Sequence, residues 1–570
     1  MNDRSASGSE VETSVMRSDI PMVREVLQLD TKDNVLIALH DFRKGEQVHF
    51  GDQVYVLATN VPAKHKFAME DFVPGSDVVM YGVLVGKARE RIQKGEIINT
   101  RNTSHDAAGF QQDGQEYRWN APDVSRWLNR TFAGFHRADG QVGTRNYWLV
   151  IPLVFCENRN LLTLKQAFEE ELGFATPSMY RRQVAGLSQL YREGRIAEIK
   201  TYSPDADGGP AARPRLFNNV DGIKFLVHEG GCGGTREDSN NLCGLLAGYI
   251  HHPNVAGATV LSLGCQHAQV DILRAELKKR NPAFAKPLLV FEQQQSGSEF
   301  KMLSDAIRAT FSGLVEADHV MRQPASLAHL CVGLECGASD GFSGITANPS
   351  IGHTSDLLAA LGGRTILSEF PELCGVEQEL IHRCADRETG DRFIHLMRDY
   401  AARAKAVRSG FEMNPSPGNI RDGLITDAMK SAGAARKGGS SPVTAVIDYP
   451  EYSVKTGLNL QCTPGSDVES VTAQVGAGAN VVLFTTGLGT PTGNPISPVV
   501  KISTNSALAE RMADIIDIDT GSIVSGQNTV NEMGEQILEQ VIRVASGEIQ
   551  TKAESLHQDD FIPWKRGVSL

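Results

Sequence analysis

The chain has 570 residues, 41% hydrophobic and 22% charged, which suits a soluble globular protein of two to four domains. A net charge of −12 argues against a nucleic-acid partner, and no apolar run approaches the roughly 18 residues that span a bilayer. Nine cysteines without framework spacing, and no secretory h-region, point to reduced thiols in the cytoplasm. In chain order, residues 1–20 are polar and serine-rich and read as a disordered leader. Residues 21–102 read as a compact β-barrel or β-clip, with strand character at 35–39, 53–57 and 77–85 between glycine turns. A polar stretch over 103–134 reads as a linker. Beyond it, short apolar runs alternate with helical patterns, which predicts an α/β core with largely parallel sheets, divided at 135–325 and 326–570. Helices are expected at 240–251, 270–280, 298–311 and 393–407. Two charged amphipathic helices within 157–215, followed by a Pro/Gly/Asp-rich run, read as an inserted hairpin used for packing, oligomer contact or as a lid.

The chemistry is concentrated where apolar strands end. Ile223–Val227 runs into His228-Glu229-Gly230-Gly231-Cys232, and Ala258–Leu263 into Gly264-Cys265. Leu288–Phe291 runs into Glu292, Leu330–Leu334 into Glu335-Cys336, Thr365–Leu367 into Ser368-Glu369, and Val481–Phe484 into Thr485-Thr486-Gly487. Ligands of open α/β sheets bind outside the carboxyl ends of the strands, so these six ends suggest one shared polar site. Cys232, Cys265 and Cys336 are candidate soft ligands for iron or another transition metal, with His228 and Glu369 beside them. The plain alternative is that the thiols fill the core and His228 is structural. The glycines of 230–234 do not form G-x-G-x-x-G, and Gly487-Leu488-Gly489-Thr490-Pro491 lacks the Walker ending, so nucleotide sites are discounted. Arg145, flanked by glycine and entering the strand at 148–153, is a candidate carboxylate clamp.

Longer motifs carry a resemblance. They are Asp33-Asn34-Val35, His65-Lys66 and Tyr81-Gly82 in the first unit, then Gly143-Thr144-Arg145-Asn146-Tyr147 and Glu335-Cys336-Gly337. Ser339-Asp340-Gly341-Phe342-Ser343-Gly344-Ile345-Thr346-Ala347-Asn348-Pro349, Asn414–Asn419 and Thr485–Pro491 complete the set. Together they resemble the altronate dehydratase and galactarate dehydratase family, to which sulfolactate sulfo-lyase is related. The resemblance implies a SAF-type β-clip domain followed by two α/β core domains. It also implies a divalent metal, Fe²⁺ or Mn²⁺, and conversion of D-altronate to 2-keto-3-deoxygluconate and water; an iron–sulfur cluster on Cys232, Cys265 and Cys336 is the alternative that three cysteines and a dehydration suggest. The helical insertion departs from the family pattern and leaves the sugar acid open. Galactarate dehydration, carbon–sulfur lysis and non-catalytic sugar-acid binding are the alternatives.

The reaction sets requirements. Removing the proton alpha to a carboxylate builds charge that a cation or metal must stabilise, and a base and an acid must complete the elimination. On this reading Arg145 and Asn146 orient the carboxylate. His65 is the base or acid, carried across a cleft by a small domain that moves on its linker. Asp340 and Ser343 bind substrate hydroxyls or support the metal, and Thr346 and Asn348 join them in binding the substrate. The expected partner is a small sugar acid, with neither nucleic acid nor membrane, and the chain is a candidate homo-oligomer.

Overall fold

The computed structural model describes residues 25–175, 179–204 and 213–567. The expected leader lies outside them. The architecture is the expected one: a small β domain followed by two α/β units.

The β domain consists of three small antiparallel sheets. One expected strand is two. Asp77–Met80 and Val83–Ala88 form a hairpin because Tyr81 and Gly82 adopt left-handed φ values of 59° and 76°. Residues 103–134 are not a free tether. Thr103–Ser104 pairs with Val83–Ala88, and Thr131–His136 is the middle strand of an antiparallel sheet. Between these strands the chain is pinned along the last domain. Tyr117 donates to the Ser440 carbonyl at 2.6 Å and the Trp127 indole donates to Glu539 at 2.9 Å.

The first α/β unit holds a four-stranded parallel sheet in the order Gly222–Phe225, Tyr147–Pro152, Val255–Ser262, Leu288–Glu292. The second holds a seven-stranded parallel sheet: Val443–Ile447, Gly457–Gln461, Arg364–Leu367, Cys331–Cys336, Val481–Thr486, Val499–Ser503, Ile518–Asp519. The six strand ends therefore belong to two edges, three to each sheet, rather than to one. Of the expected inserted hairpin, the first helix, Asn158–Leu172, is part of the core. Its Leu161, Leu164 and Phe168 recur at helical spacing and pack on Trp148 and Val150 of the sheet. The second, Met179–Arg192, buries only Leu190.

The domains share apolar interiors. Val35, Ile37, Val78, Met80 and Val85 of the β domain belong to the same cluster as Ile345, Ile425 and Met429 of the last unit. A second cluster joins Leu149 and Val260 of the four-stranded sheet to Ile366, Val482 and Phe484 of the seven-stranded one. The β domain is thus seated on the core and not carried on a loose arm.

Candidate active site

The central strand Cys331–Cys336 ends in Glu335 and Cys336, both buried. Its neighbour Arg364–Leu367 leads to Glu369 and Glu372, and Gly457–Gln461 leads to Asp467. Helix Asp427–Ala434 and the 3₁₀ turn Ala435–Gly438 lie over this edge and contribute Lys430 and Lys437. Lys437 Nζ donates to Cys336 Sγ at 2.8 Å and to Glu369 Oε2 at 2.6 Å. Lys430 Nζ lies 2.6 Å from Glu372 Oε1. The Cys336 thiol lies 3.3 Å from Glu372 Oε2. The backbone is bent to serve this cluster: Ala338 and Glu369 hold φ values of 50° and 63° without being glycine, strain of a kind that collects at functional sites. Gly337 is required, since a Cβ there would lie 2.1 Å from the Asp467 carboxylate.

The charge states follow from the packing. Burial, then the charge of Glu369, pushes the Glu335 carboxyl far above the usual carboxylate range, so Glu335 carries a proton. Its Oε2 accepts from Ser470 at 2.8 Å and Gln474 at 2.6 Å. Glu335 Oε1 and Glu369 Oε1 are both buried without a conventional partner. A proton held between those two carboxyls accounts for both orphans. Glu369 itself is raised by burial and by Glu372, against the pull of Lys437. For Glu372, burial is outweighed by Lys430 and Lys437, and its carboxyl falls below the usual value. Asp467, the more accessible acid, is pushed up to about 7 by burial and then by Glu369 and Glu372.

The β domain meets the same edge. Lys64, at φ 73°, places Nζ 2.9 Å from Asp340 and 3.0 Å from Asp422. Lys66 is fully buried and donates to the Gly423 carbonyl at 2.7 Å. Burial pulls its ammonium down to about 7, with Asp340 opposing. His65 stands between these lysines, half-buried, with Nδ1 3.2 Å from the Ala63 carbonyl. Burial lowers its pKa, so the imidazole is neutral at pH 7. Among the described residues Nε2 has no partner within hydrogen-bond distance.

A stability test follows for Lys66. Below about pH 7 it is charged in both the folded and unfolded chain, and the folded state bears the full cost of the buried charge. As pH rises from 7 toward the unfolded lysine range, only the unfolded chain holds the proton, and that cost fades. Denaturant titrations across pH 6–10 are expected to show stability rising with pH relative to Lys66→Met. Parallel curves for the two proteins would remove Lys66 as the titrating group.

Several expected site residues are engaged in contacts within the protein. Arg145 is buried in a two-pronged ion pair with Glu554 at 2.7 and 3.0 Å, and its Nη1 donates to the Thr144 and Val544 carbonyls. Four of its five N–H groups are thereby committed, which leaves no fork for a substrate carboxylate. Asn146 donates to the Asn219 and Ala317 carbonyls and accepts from Arg137. His228 donates from Nε2 to the Pro152 carbonyl at 2.7 Å and accepts at Nδ1 from the Gly230 amide at 3.1 Å. Neither nitrogen keeps a lone pair for a metal, and burial lowers its pKa to about 4. Ser343 bonds Asp340, Thr346 bonds the Phe342 and Thr504 carbonyls, and Asn348 links Gly433 to Thr485. These three hold the loop after the central strand, and Asp340 anchors Lys64. Cys232 and Cys265 lie at the edge of the other sheet, apart from Cys336. Lys430, Lys437, Asp467 and Cys156 are not among the residues the sequence singled out. The signal for Lys430 is its place in a run of mostly small residues, Ala428 to Ala435, where a charge must be paired to be buried, and Lys437 follows that run directly after Arg436.

The ligand atoms of Cys336, Glu369 and Glu372 lie within 4.8 Å of one another, as do those of Glu335, Glu369 and Asp467, a spacing that can hold a metal ion. In the first group, however, Lys437 sits between the thiol and Glu369, and Lys430 pairs with Glu372. A divalent ion there would displace an ammonium already in contact with two of its ligands.

The fold and site are those of a multidomain α/β protein with buried acids and lysines paired at the carboxyl edge of one sheet. The altronate/galactarate dehydratase SAF domain matches residues 24–106. The second domain of D-galactarate dehydratase/altronate hydrolase matches 134–318, and the C-terminal domain of D-galactarate/altronate dehydratase matches 327–569. The chain is 32% identical to the altronate dehydratase of Escherichia coli (strain K12) over 96% of its length and 100% of that protein. It is likewise 32% identical to the altronate dehydratase of Bacillus subtilis (strain 168), over 96% and 100%. Identity to the galactarate dehydratase (L-threo-forming) of E. coli (strain K12) is 28% over 94% and 95%. The chain belongs to the altronate/galactarate dehydratase family and is a carbon–oxygen lyase of the hydro-lyase class.

Proposed function

We propose that this hydro-lyase dehydrates a hexonate, D-altronate before galactarate, to the 2-keto-3-deoxy acid. The observation that carries the reading is the paired set of lysines and protonated acids at the carboxyl edge of the seven-stranded sheet. Alpha-proton removal needs a neutral base and fixed positive charge near the carboxylate, and departure of a hydroxyl needs an acid. His65 Nε2, neutral and without a partner among the described residues, takes the alpha proton, with Lys64 supplying positive charge beside it. Asp467, in its protonated form, gives a proton to the departing beta-hydroxyl. Solvent returns the proton to Asp467, which is only part-buried, and takes the alpha proton from His65, so both groups are reset for the next turnover. Iron is the metal preferred for this enzyme, because the available donors include thiols; when bound it supplies Lewis acidity toward the substrate oxygens. The acid–thiol group at Cys336, Glu369 and Glu372 would hold it only with Lys437 displaced.

Keto-acid formation from D-altronate, galactarate and 2-sulfolactate, assayed side by side with Fe²⁺, tests the assignment. D-altronate is expected to give the highest kcat/KM. Sulfite release from sulfolactate at a comparable rate would make the enzyme a carbon–sulfur lyase instead. The role of Asp467 has its own signature. As a proton donor with a pKa of about 7, it should make kcat/KM fall as pH rises through neutrality. Asp467→Asn should slow the reaction about 10²–10⁴-fold and remove that limb. A limb that survives the substitution would assign the acid elsewhere.

A further inference from the structure

The other sheet edge gathers three thiols that the chemistry above does not use. Strands Gly222–Phe225, Tyr147–Pro152 and Val255–Ser262 are consecutive neighbours. The loops after them carry Cys232, Cys156 and Cys265. These loops are bonded to one another. The Phe155 amide donates to the Gly230 carbonyl and the Ala268 amide to the Gly231 carbonyl, both at 3.1 Å, and the Leu153 amide donates to Leu261 at 2.8 Å. Gly231, at φ 95°, passes so close that a Cβ would lie 2.0 Å from the Leu153 carbonyl oxygen. The thiols approach one another in this knot: Cys156 interacts electrostatically with both Cys232 and Cys265.

Three features mark this trio. All three are exposed, whereas the others are buried or half-buried. Cysteine is among the most buried residue types, so three exposed thiols facing one another are a reactive liability unless something binds them. No lysine or arginine among the described residues donates to them, unlike Cys336 with its Lys437. Buried acceptors also lie unpaired on both flanks: Asn158 Oδ1, two residues past Cys156, and His267 Nδ1, two past Cys265.

We infer that Cys156, Cys232 and Cys265 are the three protein ligands of an iron–sulfur cluster, of the four-iron kind with one iron left without a cysteine. Spacing separates this from a single ion. With metal–sulfur bonds of about 2.3 Å, tetrahedral ligands on one metal stand roughly 3.8 Å apart. The three sulfurs are not all within 4.8 Å of one another; among the described residues only the two groups in the other domain meet that limit. A cluster spreads its terminal thiolates farther apart, and the glycine-rich 230–234 loop offers amides to its sulfurs. The cluster's use as the Lewis acid of dehydration rests on the function proposed above; its existence does not.

The test is anaerobic purification of the full chain, with reconstitution by Fe²⁺ and sulfide. The wild type is expected to bind about four iron and four sulfide per chain, with broad absorption near roughly 400 nm. Cys156→Ser, Cys232→Ser and Cys265→Ser should each lose most of the sulfide and the absorption while keeping the wild-type circular dichroism. Cys384→Ala, remote from the trio, should retain both. Sulfide that stays in the three variants, about one iron without sulfide, or no iron after reconstitution would each overturn the assignment. Turnover is read separately. A chain that holds the cluster but dehydrates no sugar acid would sink the function and leave the site. A chain that takes up no cluster on reconstitution yet dehydrates a sugar acid would sink the site and leave the function.

Discussion

Lys437→Met is expected to destabilise the protein by about 3–5 kcal/mol, the usual cost of stranding one partner of a buried ion pair, and to abolish turnover. Lys437 is 1% exposed, and its ammonium is the direct partner of Cys336 and Glu369. Methionine fills the volume but leaves Glu369 Oε2 without its cation, inside a cluster that already contains Glu335, Glu372 and Asp467. The carboxyl must then bind a second proton, and the sharing between Glu335 and Glu369 ends. Adding Glu369→Gln should recover much of the stability, because no uncompensated charge remains, yet recover no activity. Denaturant midpoints and kcat for the wild type, both single variants and the double variant decide the matter. A double variant no more stable than Lys437→Met would refute the ion-pair account. Full turnover by Lys437→Met would remove the cluster from the chemistry.

Arg145 carries the second large effect, and its sign separates two roles. A substrate clamp would lose kcat/KM with little change in stability. The pair with Glu554 predicts the reverse: Arg145→Ala should cost about 3–5 kcal/mol, while KM measured below the unfolding temperature stays close to wild type. Arg145→Lys should recover only part of the stability, since an ammonium cannot make both carboxylate bonds and both carbonyl bonds in the same plane. The pair also has an acid limit. Burial raises the Glu554 carboxyl, but Arg145 outweighs it and the net pKa lies below the usual value. Its contribution is therefore present above the unfolded glutamate value and is lost as pH falls through the folded one. Calorimetry at pH 7 and pH 4 should bring the two proteins closer at the lower pH. A constant gap would show that Glu554 is not the partner that matters.

The layer architecture was legible in the sequence because hydrophobic periodicity reports it directly. The helix expected at 270–280 is Val270–Arg280, and each of the six apolar runs is a strand. Their division between two sheets was not legible, since parallel strands pair through long crossovers that leave no local mark. The same gap hid the separation of Cys336 from Cys232 and Cys265. Cys336 and Cys156 both follow apolar strands, and only the strand order places Cys156 at the edge that carries Cys232 and Cys265. Arg145, Asn146 and His228 are committed to internal contacts that the sequence does not show. Polar residues beside glycine at strand ends suit a ligand site, but they suit equally well the capping of backbone groups in tight loops. The lysines were obscured by their setting, because Lys430 sits in, and Lys437 just after, a run that reads as a small-residue packing helix. Burial of charge there becomes intelligible only with Glu369 and Glu372 across from it.

The seating of the β domain has a consequence for biosynthesis. Lys66 bonds Gly423, 357 residues farther along the chain. At roughly 5–20 residues per second, the ribosome takes tens of seconds to supply that partner. For that interval the nascent chain displays the apolar face of Val35, Ile37, Val78 and Val85 and bears a lysine meant for an interior. The internal cluster of Val48, Tyr55, Leu57 and Phe67 can form meanwhile, so the early domain has a nucleus of its own. Its outer face remains a temporary hazard that invites chaperone binding. Slowing translation between codons 110 and 420 should therefore lower soluble yield more than slowing it after codon 450.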